Sequence, residues 1–150
     1  MNLTDLDAEA ETLILQHFDE TTALQLGAIL LDLAHGLPVV INIRNAHRTF
    51  FHAALPGSQA GNDNWARRKS NTTLRTGRAS MAVGLRNAER NQTLSRDGLS
   101  EADYADHGGA VPIRVAGVGM VAVATVSGLP QAEDHAVVIR GITALMAQTA

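Results

Sequence analysis

This chain of 150 residues contains no cysteine, which excludes disulfide bonds, thiolate-held metals and a cysteine nucleophile together. Aromatic residues make up only 3%, and tryptophan occurs once, at Trp65. The core must therefore be aliphatic, packed from Ala, Val, Leu and Ile. Lysine also occurs once, at Lys69, while every other basic residue is arginine. Together with the abundant alanine, that bias reads as genomic composition. No apolar run approaches the roughly 18 residues of a membrane span, so no membrane partner is expected. The first residues, Met1 to Glu11, are acidic, whereas a secretory signal carries basic residues before an apolar segment. A cytoplasmic protein is the expectation. A net charge of −3 argues against a nucleic-acid partner, which favours basic domains.

What is present is a globular balance, 45% hydrophobic against 18% charged, with enough length for one sizeable core. Residues 1–18 read as a lead-in, a short acidic helix followed by a strand at Leu13-Ile14-Leu15. Residues 19–150 read as a single domain. Asp19 suits the N-cap of a helix over 20–35, whose inward face is Ala23, Leu26, Gly27, Leu30, Leu33 and Ala34. Gly36 and Pro38 stop it. Two strands follow, Pro38–Arg44 and Thr49–Leu55, joined by a turn near 45–48. Residues 62–78 carry Trp65, Leu74 and five cationic side chains, which predicts a basic helix. A short helix over 79–87 and an exposed loop over 88–100 come next. Val111–Val115 and Val118–Val126 form a hairpin about Ala116-Gly117, the second strand apolar on both faces. Pro130 suits the first position of a last helix, with Glu133 and Asp134 in its first turn and Val138, Ile142, Leu145 and Met146 facing inward. This order predicts an α+β domain, an antiparallel sheet with helices packed on it.

Three groups of residues carry candidate chemistry. Arg68 and Arg75 lie seven apart on one helix face, beside Arg67 and Lys69, and arginine's planar fork suits carboxylates and phosphates. A solvated helix face, or arginines paired across a subunit interface, is the plainer reading of the same pattern. His107-Gly108-Gly109 places an imidazole beside backbone free to approach a ligand closely. No second histidine at metal-motif spacing accompanies it, so no metal site is expected.

Ser127, Gly128, Asp134 and His135 form the third group, and hydroxyl, carboxylate and imidazole invite a triad reading. Consecutive helical residues point about 100° apart, so Asp134 cannot easily orient His135 toward Ser127. The G-x-S-x-G elbow is also missing. The expectation is that Asp134 hydrogen-bonds the Ser127–Leu129 turn while His135 packs against the sheet or a neighbouring subunit. No residue is singled out as catalytic, and an enzyme is not the favoured reading.

Taken together, Asn62-Asp63-Asn64-Trp65 with Arg67-Arg68-Lys69, His107-Gly108-Gly109 with Pro112-Ile113, and Val126 to Gln131 with Asp134-His135 resemble an uncharacterised haem-degrading-domain family. That family is related to GlcG-type and HbpS-type haem-binding proteins, and the resemblance covers about residues 19–147. It implies a profilin-like or PAS-like sandwich, a central antiparallel sheet with helices on both faces. It also implies a homo-oligomer, a dimer or a larger ring, and a small ligand for which haem is the leading candidate. His107 or His135 would then serve as axial ligand, and Arg68 and Arg75 would face the propionates. The family pattern has Phe at Thr76 and Ser-Phe at Ala110-Val111, so this chain offers less aromatic surface than the pattern implies. The alternative is a non-catalytic oligomeric scaffold or protein-interaction module.

Overall fold

Asp19 begins the first long helix as its position predicts. Its carboxylate accepts from the Thr22 amide at 2.9 Å and from the Thr22 hydroxyl at 3.0 Å, satisfying donors that a helix start leaves free. In the computed structural model, which describes residues 1–149, this helix is α2 (Glu20–Leu33). It follows α1 (Leu3–Glu11) and the two-residue strand β1 (Ile14–Leu15). Then come β2 (Val40–Arg44), β3 (Thr49–Ala54), α3 (Ala60–Thr76), α4 (Ser80–Glu89), β4 (Ala110–Val115), β5 (Gly119–Ser127) and α5 (Gln131–Thr149).

The strands form one open sheet in the order β1-β4-β5-β2-β3. Neighbours run antiparallel except β1, which lies parallel to β4 and makes the sheet mixed. The architecture is α+β with helices on both faces. Because side chains alternate along a strand, the two faces differ in kind. Ile41, Ile43, Val111, Ile113, Ala124 and Val126 meet α2 and α5 in the main core, with Leu26, Leu30, Val138, Ile142 and Leu145. Each fully buried Leu or Ile there contributes about 1.5–3 kcal/mol. Gly141 lets the two helices touch, since a Cβ there would lie 2.5 Å from Leu30 Cδ2.

The other face is partly polar and lies under α3. Asn42 pairs in register with His52 on one side and Thr125 on the other. The Asn42 amide contacts His52 Nδ1 at 3.1 Å, and Arg44 Nε donates to Ser70 Oγ at 3.0 Å. Accordingly α3 turns inward small and polar residues, Ala66, Lys69, Ser70 and Thr73, at the 3–4–7 spacing of one helical face.

Several boundaries and burials differ from expectation. Val118 sits in the hairpin turn and is 71% exposed, so β5 starts one residue later. Leu33 faces outward, and Ala34 takes the buried position at the helix end. Pro130 precedes α5, and its carbonyl accepts the Asp134 amide at 3.1 Å. The loop expected over 88–100 holds a short 3-10 turn at Leu94–Asp97. Leu94 and Leu99 are buried there with Val83, a small second core packed against Tyr104.

Candidate functional site

The end of β5 is built to aim backbone donors at one carboxylate. Gly128 adopts φ +149, and a Cβ there would lie 2.5 Å from Pro38 O, so the chain turns at a position only glycine fits. One turn into α5, Asp134 reaches back and accepts from the Leu129 amide at 3.0 Å and the Gly128 amide at 3.3 Å. From the opposite wall Lys69 of α3 donates to Asp134 Oδ2 at 3.0 Å. Lys69 is 4% exposed and Asp134 1%. Burial pulls the Lys69 ammonium below the ordinary lysine range and pushes the Asp134 carboxyl above the ordinary aspartate range. Their mutual attraction opposes both movements.

Glycine also makes room for the lysine. Gly109 has φ +142, and a Cβ there would strike Val126 O and come within 3.0 Å of Lys69 Nζ. The neighbouring Gly108 amide donates to Gln131 Oε1 at 2.9 Å, tying the 105–109 loop to the start of α5.

Above the ion pair opens a cleft of about 210 Å³ lined by Asn62, Trp65, Lys69, His107, Ser127, Gly128, Leu129, Gln131 and Asp134. Trp65 and Leu129 form its apolar surfaces. Trp65 meets His107 edge-on, with ring centroids 5.2 Å apart, and the Arg68 guanidinium lies 4.4 Å from the Trp65 ring centroid. The Asn62 side-chain oxygen accepts the Gln59 amide and the Gln131 oxygen accepts from Gly108, which leaves both amide nitrogens as donors. With the Ser127 hydroxyl, the His107 imidazole and Lys69, the lining is rich in hydrogen-bond donors.

Of the residues singled out from sequence, Lys69, His107, Ser127, Gly128 and Asp134 line this cleft, and Gly108 and Gly109 shape it from behind. Arg68 stays at the edge. Its guanidinium donates to Glu101 O at 2.7 Å and Tyr104 O at 3.5 Å, holding the loop below. Arg75 is exposed and lies outside the cleft. His135 is 3% exposed and turned away, its Nε2 2.7 Å from Glu9 Oε1 of α1. Ser127, Asp134 and His135 therefore do not converge, for the angular reason that consecutive helix positions diverge.

The cleft also takes Asn62, Trp65, Leu129 and Gln131, which no site reading of the sequence included. The signal was there for two of them, since Asn62 and Trp65 stand seven and four positions before Lys69 on one face of α3. Among the described residues, no three His, Asp or Glu side chains come together as a metal set. None of the described helices is long and apolar enough to cross a membrane.

Comparison with known proteins identifies the family and the fold. The profile described as haem degrading protein HbpS-like matches residues 18–143. The chain belongs to that family. It is 44% identical over 140 residues to a UPF0303 protein of Acidobacterium capsulatum, covering 91% of this chain and 85% of that one. Among solved structures, that of the Ybr137w protein superposes with a TM-score of 0.88 at 27% identity, covering 99% of this chain and 90% of that one. A PduOC:haem complex shares the fold, with a TM-score of 0.69 at 19% identity over 87% of this chain and 95% of that one.

Proposed function

We propose that this chain binds a small oxygen-rich organic molecule, a carboxylate or carbonyl compound, in the cleft above Lys69 and Asp134. The observation that carries this reading is the lining itself, donors from Asn62, Ser127, Gln131, His107 and Lys69 beside the Trp65 indole. Such a set favours acceptor oxygens, and the indole gives the ligand's carbon part a place to pack. Trp65 is the chain's only tryptophan, so its fluorescence reports occupancy directly. Titration with small mono- and dicarboxylates and 2-oxo acids should give saturable changes. Losing the Ser127 hydroxyl should weaken binding about 3- to 10-fold, the net value of one hydrogen bond. No saturable response to any member of the panel would overturn the reading.

Haem is the second reading, supported by family membership and by the haem complex of PduOC. The residues present do not fit an enclosed haem. A cleft of about 210 Å³ falls below the roughly 300–1,000 Å³ of pockets that bury drug-sized ligands. His135 is closed off by Glu9, and Arg68 is engaged with two carbonyls. What favours retaining haem is His107, half exposed at the cleft. Hemin titration should then give a saturable Soret shift that His107→Ala abolishes. An unchanged spectrum in that variant would end the assignment.

Assembly into a homo-oligomer accompanies either reading. Leu24 and Leu31 lie seven apart on the outer surface of α2 and are exposed, and β3 is an open edge of the sheet. Native mass spectrometry tests this, and a monomer at micromolar concentration would dismiss it.

A further inference from the structure

We propose that Lys69 captures carbonyl compounds covalently, its Nζ forming an imine with a small aldehyde or 2-oxo acid in the cleft while Asp134 carries the proton. This rests on the cleft being a ligand site and goes further by naming the reaction and the substrate class. Four observations point to it.

Lys69 lines the cleft while staying 4% exposed, and its Nζ lies 6.0 Å from the centroid of the Trp65 ring. Among the described residues its one ionic partner is Asp134, at 3.0 Å. That carboxylate is held in place by the Gly128 and Leu129 amides, so it can take up and return a proton without moving. The chain uses arginine at every other basic position. Arginine is the stronger partner where a buried carboxylate only needs pairing, and it cannot lose its proton to act as an amine. The one lysine stands at the one place where an amine would meet a bound carbonyl. Burial pulls the ammonium toward the neutral amine and pushes Asp134 toward the neutral acid, the protonation states this chemistry uses.

The step balances without an oxidant or reductant. The neutral amine of Lys69 attacks the carbonyl carbon and forms the C–N bond. The former carbonyl oxygen receives a proton from the Asp134 carboxyl, and the nitrogen returns one to Asp134, leaving a neutral carbinolamine. The nitrogen lone pair then expels the hydroxyl, which leaves as water with a proton from Asp134. The resulting iminium returns its N–H proton to Asp134 or retains it as an ion pair. The sum is amine plus carbonyl giving imine plus water. Donors at Ser127 and Gln131 suit the carboxylate of a 2-oxo acid.

Reductive trapping tests this cleanly, because amines in the chain are limited to Lys69 and the α-amino group. The full chain would be incubated with glyoxylate, pyruvate or propanal plus cyanoborohydride, and the adduct located by peptide mapping. The proposal expects saturable labelling at Lys69, at pH 7 at least tenfold faster than Nα-acetyl-lysine under the same conditions. Asp134→Asn, which keeps the shape, should slow labelling by roughly 100-fold, the usual scale of general acid–base assistance. Should that variant fail to fold, the wild-type labelling rate against pH decides instead. It should reach its plateau well below the ordinary lysine range.

Saturable Trp65 quenching with labelling confined to the α-amino group would overturn the imine and leave the binding site standing. The absence of both Trp65 quenching and Lys69 labelling would overturn the imine and the binding site together. Labelling of Lys69 no faster than that of the free amino acid would also overturn the proposal, since the site would then add nothing.

Discussion

Asp134 and His135 are neighbours in one helix, equally buried, and each holds a charged partner from a distant element. Asp134 meets Lys69 at 3.0 Å beneath a cleft of about 210 Å³. His135 meets Glu9 at 2.7 Å beside a hole of only about 10 Å³. The first pair opens on space that a ligand can fill. The second closes a seam, fastening α1 to the body of the protein. Burial of ionisable groups is thus no mark of function by itself. What separates the pairs is the space beside them and the free donors around that space.

The sharpest way to break the comparison is to cut both pairs and weigh the losses. Asp134→Ala strands the Lys69 ammonium and leaves the Gly128 and Leu129 amides without their acceptor. A loss of about 3–5 kcal/mol in urea denaturation is expected, the cost of leaving a buried charge uncompensated. Glu9→Ala should lose less, about 1–3 kcal/mol, because it removes one charge-assisted hydrogen bond near the surface. Its effect should also be local. Hydrogen exchange should speed up in α1, which Asp7–Arg78 also holds at 2.9 Å, with little change in α5. If Glu9→Ala proved the costlier change, the seam and the site would have to trade descriptions.

Proton linkage sharpens the contrast further, with a smaller effect. Asp134 is raised above the ordinary 3.8 by burial, so the folded state keeps a proton there that the unfolded chain has lost. Stability then falls as pH rises from about 3.8 through the elevated value. Lys69 is lowered from 10.5 by burial, so the unfolded chain holds the extra proton above the lowered value, and stability rises as pH climbs toward 10.5. Wild type should therefore show a shallow stability minimum between the two windows. The paired replacement Lys69→Met with Asp134→Leu should flatten both slopes. A replacement with the same profile as wild type would mean that the pair does not titrate as its burial requires.

Local chemistry was legible in the sequence, and long-range chemistry was not. The Asp19 cap, the glycine turn at Gly128 and the reach of Asp134 back to Leu129 all act within six residues. Residue type and spacing suffice for such features. The inward turn of Lys69 escaped because α3 lacks an apolar stripe. It lies on the polar face of the sheet, over Asn42 and Thr125, so its buried side reads as solvated. Leu94 and Leu99 escaped for the opposite reason, two apolar anchors too few to announce a core. The His135–Glu9 contact spans most of the chain, and no pattern along it announces such a pair. The family resemblance supplied what spacing lacked, since its motifs grouped Trp65, Lys69, His107 and Asp134 before any contact was known.

The smallest effect on stability belongs to Ser127, and there lies its value. Its side chain lines the cleft, and its hydroxyl makes no hydrogen bond to the described residues, so Ser127→Ala strands no protein group. Stability should stay close to that of wild type, because the substitution breaks no hydrogen bond. Ligand affinity read from Trp65 fluorescence should nonetheless fall about 3- to 10-fold, since a bound oxygen would lose its donor. Asp134→Ala confounds folding with binding, whereas this substitution separates them. A variant that loses stability but keeps affinity would show the hydroxyl serving the fold.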